Sequence, residues 1–279
     1  MDPSATPPGG GRSRSAIGRP IDWRYASNRF AVLAALGAGV VAGAAALASG
    51  TSFGAAVGWG FQGGANSFLA WAIGRELDPD RPATAAIAAV AAVPLLLLGR
   101  IALGAMAAVL LALRLTVRTA GPVPTMLDAL LMTGFAGYLG YRGAWPAGFA
   151  LGIALAASGN DDRRLFGAGA LAAGAAVAAA AAAGTADPIP VALSAPEVAA
   201  GIAALVAGLA MLQREQPDEV ADITGERLQA TRLLAGRMLV VLTTATLVFY
   251  LAPDPIGAMG PAAAAIIATA ITVTIASFR

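Results

Sequence analysis

Arg75-Glu76-Leu77-Asp78-Pro79-Asp80-Arg81-Pro82 is the densest knot of charge in the chain, with five charged residues in eight positions. One apolar run ends just before it and another begins just after it. Charge at this density is not left in hydrocarbon. The octapeptide must lie at a membrane surface or line a watery cavity, and the flanking runs must be segments that enter the membrane. The expected fold is therefore all-α, a polytopic integral membrane protein.

Composition carries the same message. Of 279 residues, 58% are hydrophobic and 12% are charged, against about 25% charged in a soluble domain. There is no His and no Cys, and all 18 basic residues are Arg. That excludes disulfides, thiol catalysis, His- or Cys-based metal sites and a lysine Schiff base. The Ala- and Arg-rich bias fits a GC-rich bacterial genome, so the expected location is the inner membrane. The net charge of +2 is scattered as Arg at segment ends. No basic face is built for phosphates, and nucleic acid is not an expected partner.

Outward from the octapeptide, ten apolar spans are predicted. They fall at 30–49, 53–74, 83–98, 101–117, 125–141, 145–159, 165–184, 195–212, 235–252 and 261–278. Residues 1–20, rich in Pro, Gly, Ser and Arg, predict a disordered tail. With the interfacial Asp22-Trp23-Arg24-Tyr25 they make a cytoplasmic juxtamembrane tail over 1–29, ahead of a single transmembrane domain over 30–279. The first apolar segment is too long for the core of a cleavable signal peptide.

The segment 83–117 is either one long helix or a hairpin turning at Gly99-Arg100, and charge separates the two. With a hairpin both termini are cytoplasmic. That side then holds Arg12, Arg14, Arg19, Arg24, Arg29, Arg75, Arg81, Arg114, Arg118, Arg163, Arg164, Arg214, Arg227, Arg232, Arg237 and Arg279, and only Arg100 and Arg142 face outward, 16 against 2. A single helix would move every later loop across the membrane and erase the asymmetry, so the positive-inside rule selects ten spans. Ten spans divide into five and five, 30–142 and 145–278. An odd number per half gives opposite orientations, the arrangement of inverted-repeat transporters.

Small residues recur at helical spacing. Gly50, Gly54 and Gly58 lie four apart and are followed by Gly60 and Gly64. Gly134, Gly137, Gly140 and Gly143 lie three apart, and Gly148 and Gly152 four apart. Such stripes predict close helix packing, within the chain or between copies or partners in an oligomer; the other reading is a narrow path or ligand groove floored by glycine.

Few polar side chains interrupt the spans. Asp128, three residues after Thr125, has capping-box spacing and is the alternative candidate for a buried carboxylate on a substrate path. Ser194 and Glu197 repeat the pattern. Gln62 and Asn66 lie inside the second span, where polar groups face other helices; they are read as cross-helix hydrogen bonds or as substrate contacts. In the octapeptide itself, Asp78 or Asp80 suits the cap of the third span, with Pro79 or Pro82 in its first turn. The other reading is a cation site, because Glu76, Asp78 and Asp80 supply the carboxylate oxygens that Mg²⁺ prefers. Two more acidic clusters, 160–164 and 214–226, lie on the same predicted side and would form one site if all three converged.

Asp222-Ile223-Thr224-Gly225-Glu226-Arg227 resembles the second Asp-rich motif of UbiA-type intramembrane prenyltransferases, with Glu where Asp is usual. Glu76 to Pro82, after Asn66, is similar to their first. The resemblance implies cytoplasmic carboxylates that hold a diphosphate through Mg²⁺. It departs in spacing, with six predicted spans between the motifs against four in the family, and in the first Asp triplet. In outline, ten spans also resemble drug/metabolite transporters. The expected function is a small-molecule transporter or permease without a cofactor. Its solute is expected to be apolar or neutral, since buried charge for coupling is scarce. The alternatives are a UbiA-like prenyltransferase using Mg²⁺ and a non-catalytic subunit of a larger membrane complex. An enzyme needs the acids to converge, a transporter needs a polar cavity open to one side, and a scaffold needs neither.

Overall fold

The computed structural model describes Ile17, Ile21 and residues 23–120, 122–159, 162–188, 193–213, 215–222, 224–251 and 254–278. Among these the chain is all-helical. The helices are α1 (Ala26–Ala48), α2 (Phe53–Leu77), α3 (Pro82–Leu95), α4 (Leu103–Val117), α5 (Met126–Tyr141), α6 (Trp145–Ser158), α7 (Arg163–Ala182), α8 (Ala195–Ala210), α9 (Ala230–Leu247), the single turn α10 (Pro255–Ala258) and α11 (Gly260–Ser277). No described residue belongs to a strand, and one isolated bridge pairs Val220 with Arg227. The expected tail over 1–29 lies largely outside the described residues; α1 starts at Ala26, four positions before the expected span.

The disputed segment 83–117 reverses direction. Pro94 has no N–H to give, and the last turn of α3 tightens into a 3₁₀ turn over Leu96–Leu98. Gly99 then takes φ 142°, a conformation that L side chains avoid, and the chain turns back. The reversal is legible in the contacts. Ile101 meets Gln62 in the first half of α2, whereas Arg114 and Thr119 meet Glu76 near its end. α3 therefore runs antiparallel to α2, and α4 parallel to it.

α2 and α11 form the centre. The second half of α2 is buried from Leu69 to Leu77 except for Arg75, and α11 is buried along most of its first half. α2 packs on α1, α3, α4 and α11, while α6 and α7 pack with α5 beyond α4. The two five-helix halves do not repeat this pattern. α2 packs closely on α3, but α7, which holds the corresponding place in the second half, packs on α5 and α6 and not on α8.

Among the described residues, four helices, α1, α7, α9 and α11, are long and apolar enough to cross a membrane. α9 begins at Ala230, five residues before the expected span, because Leu233, Gly236, Arg237 and Val240 form one buried face. The outer surface is apolar as well. Leu33, Leu36 and Val40 on α1, Leu130 on α5 and Leu205 on α8 are all exposed, a surface suited to lipid rather than water.

The expected Gly50/Gly54/Gly58 stripe is not a packing face. A Cβ placed on Gly54 or Gly58 would meet nothing within 4 Å. The close contact lies one turn further on, where Gly60, Gly63 and Gly64 face Ala35, Ala38, Gly39 and Gly43 of α1. Of the glycines singled out by spacing on α2, Gly60 and Gly64 do meet α1, while Gly54 and Gly58 do not. On a helix this apolar, periodicity does not separate a lipid-facing side from a protein-facing side.

Candidate functional site

The charged octapeptide sits where α2 ends and α3 begins, and its acids turn inward. Glu76 and Asp78 are buried, with 1% and 2% of their surface exposed. Glu76 Oε1 accepts from Arg114 Nε at 3.0 Å, and its Oε2 accepts from the Thr119 hydroxyl. Asp78 Oδ1 accepts from Arg81 at 3.0 Å, and its Oδ2 accepts from Thr84 Oγ1 at 2.5 Å and from Thr272 Oγ1 at 2.9 Å. Glu76 thus ties α2 to α4, and Asp78 ties it to α3 and α11. Asp80 points the other way, where its Oδ1 accepts the amides of Asp218 at 3.1 Å and Glu219 at 2.9 Å. Neither aspartate caps α3, whose N-cap is Arg81 and whose first turn has no side-chain cap from that residue.

Arg237 completes the knot. It has none of its surface exposed, and it donates to Leu77 O at 3.0 Å, to Met211 O and Gln213 O at 3.2 Å each, and to Glu215 Oε2 at 3.1 Å. Leu77 O and Met211 O lie at the C-terminal ends of α2 and α8, where helices carry unsatisfied carbonyls and negative partial charge. Arg232 does the same for α4 through Thr116 O at 3.2 Å. Arginine at this end therefore fastens helix ends; its five fixed donors suit several acceptors at once.

Glu215 is shared between Arg237 and Arg81, with Arg81 Nη2 at 3.0 Å. Burial pushes its carboxyl up, but hydrogen bonds from Arg81 and then Arg237, together with both positive charges, outweigh burial and hold it below the usual carboxylate range. The bond to Glu215 likewise keeps Arg81 above its ordinary value against partial desolvation. A carboxyl whose folded pKa is depressed adds stability above its unfolded pKa and loses it as pH falls toward the folded one. Melting temperature in detergent is expected to drop as the buffer is taken below the ordinary carboxylate range, and Glu215→Gln should flatten part of that slope. An unchanged slope in the variant would remove Glu215 as its source.

The other expected site residues serve the backbone. Asn66 Nδ2 donates at 2.6 Å to Ala92 O. That carbonyl is left over because the amide of Leu96 turns to Val93 O and Pro94 O where the 3₁₀ turn begins. One turn away along α2, Gln62 Oε1 accepts the amide of Ile101 at 3.0 Å. Both side chains stitch the irregular α3–α4 reversal onto α2. Asp128 closes the expected capping box: its amide donates to Thr125 Oγ1 at 3.2 Å, and its Oδ2 accepts Thr125 N at 2.9 Å. Glu197 accepts the amide of Ser194 at 2.9 Å in the same way.

Among the described residues, the three acidic clusters supply no common metal-binding group. The first and third meet through Asp80, Arg81 and Glu215. In the second, Asn160 and Asp161 lie outside the described residues, and Asp162 caps its own helix by accepting Arg164 N at 2.8 Å. Arg214, in the third, is also outside them. Among the described residues, no three Asp or Glu side chains are grouped so as to hold a metal ion.

Beside the knot a cleft of about 600 Å³ opens at the acidic end. Tyr25, Asn28, Trp71 and Arg75 form one wall, and Glu219 and Asp222 line it from the loop after α8. That loop folds back on itself, with Ala221 N donating to Glu226 O at 2.8 Å and Leu228 N to Glu219 O at 3.2 Å. Arg75 donates to Asn28 Oδ1 at 3.0 Å, and its guanidinium lies 5.6 Å from the Trp71 ring centre. The sequence reading missed Asn28, Arg75 and Trp71 as a group, since they converge only when α1 packs on α2. It also missed Arg237, although an Arg eight positions into an apolar helix was a signal that it had a buried partner.

Compared with known proteins, the chain matches no family model, no curated protein and no solved structure.

Proposed function

We propose that the protein is a ten-span membrane permease for a small neutral, amphipathic solute, which it takes up through the cleft at the acidic end. The observation that carries this is the cleft itself, about 600 Å³ and walled by polar and aromatic side chains between the helix bundle and the 215–228 loop. Ten crossings are supported by charge. At the acidic end lie Arg24, Arg29, Arg75, Arg81, Arg114, Arg118, Arg163, Arg164, Arg227, Arg232 and Arg237, and at the opposite end Arg100 and Arg142. The positive-inside rule makes the acidic end cytoplasmic. We do not retain the inverted repeat, because the two halves pack on different neighbours.

Topology is checked on the cysteine-free background. Ala83→Cys and Thr224→Cys should resist a membrane-impermeant thiol reagent in intact cells, while Ser52→Cys and Asp187→Cys should react. Equal labelling of the two pairs, with folding verified, would overturn the ten-span arrangement. Transport is checked with an NBD-labelled dodecyl glucoside in proteoliposomes. Flux should exceed that of protein-free vesicles and should fall in Val220→Trp, which fills the cleft from its exposed rim. No flux above the protein-free control would sink the permease reading.

A second reading, a non-catalytic subunit of a larger complex, is favoured by one observation. Gly54, Gly58, Gly134, Gly167 and Gly174 all present open surface where a Cβ would meet nothing within 4 Å, and such faces suit another helix. The prenyltransferase reading has less behind it. Glu76 and Asp78, two of the three acids in its first motif, are engaged by Arg114, Arg81 and the hydroxyls of Thr119, Thr84 and Thr272.

A further inference from the structure

Two cavities at the seam between α1 and α2 are lined by residues of both helices or of the turn just before α1. Away from the acidic end, an apolar groove of about 630 Å³ runs between Val32–Leu47 of α1 and Phe53–Phe68 of α2. At the acidic end of the same two helices lies the cleft, lined by Asn28, Trp71 and Arg75. Phe68, at the end of the groove, and Trp71, in the wall of the cleft, lie one turn apart on α2 with ring centres 5.8 Å apart. Asn28 is one turn before Val32 on the same face of α1, and Arg75 is two turns beyond Phe68 on the same face of α2.

A molecule lying along this seam meets three environments in a set order. First comes hydrocarbon surface. Next comes the Arg75 guanidinium, oriented by Asn28 and Trp71. Last come the carboxylates of Glu219 and Asp222, both exposed on the loop that forms the far wall. That order complements an acyl chain, a phosphate and a primary ammonium.

We infer that the α1–α2 seam binds a zwitterionic phospholipid of the ethanolamine class, with an acyl chain in the groove, the phosphate at Arg75 and the ammonium at Glu219 and Asp222. The inference rests on the cleft being the ligand site, as proposed above, and names its ligand. A guanidinium is the side chain best matched to phosphate oxygens. The carboxylates supply acceptors for the ammonium, and they repel a headgroup of net negative charge, which gives selectivity as well as affinity.

The test compares dioleoyl-phosphatidylethanolamine with dioleoyl-phosphatidylglycerol, bound to the full-length protein in detergent and resolved by native mass spectrometry. The ethanolamine lipid is expected to bind about tenfold more tightly, the scale of one hydrogen bond to a charged group. Glu219→Gln with Asp222→Asn should stay folded and lose the preference, and Glu219→Gln alone should reduce it. Arg75→Gln should weaken both lipids alike; if it does not fold, the carboxylate pair still decides. Equal binding of the two lipids by the parent, the behaviour of annular lipid only, would overturn the inference. So would a preference that survives in the carboxylate variant. Glucoside flux without headgroup preference would remove the lipid and leave the permease. Preference without flux would leave a lipid site on a protein that does not transport.

Discussion

Arg237→Met is expected to cost about 3–5 kcal/mol, the penalty for removing one member of a buried, hydrogen-bonded charge cluster. The methionine fills much of the volume, so the loss comes from what it leaves behind. Leu77 O, Met211 O and Gln213 O lose a donor, and Glu215 keeps only Arg81. Arg237→Lys should recover only part of the loss, since one ammonium cannot reach acceptors spread over two helix ends and a loop. The check is unfolding in detergent, beside Arg232→Met, which removes a half-buried arginine that donates to Thr116 O. A double-mutant cycle with Glu215→Gln separates the ion pair from the carbonyl contacts. If Arg237→Met melts with the parent, the knot is not what holds α2, α8 and α9 together at this end.

Gly152→Leu and Gly140→Leu should also be severe, at or beyond the roughly 1–3 kcal/mol typical of overpacked interiors. A Cβ on Gly152 would lie 2.5 Å from Ala173 N and 2.7 Å from Gly169 O, and one on Gly140 would run into Ala176 O. These obstacles are backbone atoms of α7 and cannot turn aside as a side chain would. The paired controls are Gly54→Leu and Gly58→Leu, where the added side chain meets open surface. Those two should melt within error of the parent. A large loss in either control would mean that the exposed face of α2 is covered in the native membrane, which is what the complex-subunit reading requires.

The same glycines mark how far the sequence can be read. Gly148 and Gly152 were rightly singled out by spacing, and so was Gly140. Gly134 and Gly137 have the same spacing and stand clear of close contact. Spacing names a stripe, but which side of the helix meets a neighbour depends on where that neighbour lies. In a chain whose outer surface is as apolar as its interior, no hydrophobic contrast points the stripe inward.

By itself the sequence determined the helical class, the apolar segments and the reversal at Gly99-Arg100, because each follows from local or summed properties. Hydrocarbon demands that backbone groups be satisfied within a segment, Pro94 and Gly99 break the helix where they stand, and Arg asymmetry accumulates along the chain. Capping at Asp128 was equally legible, since a capping box is closed within four residues. The roles of Glu76, Asp78 and Asp80 were not. Three acids in five residues read as a cap or a cation site, yet they face three directions, toward α4, toward α3 with α11, and toward the loop after α8. Their partners lie as far as 194 positions away in the chain. Only the packed bundle decides which of these groups meet, because a buried carboxylate must find donors wherever the fold brings them, and sequence distance carries no record of that.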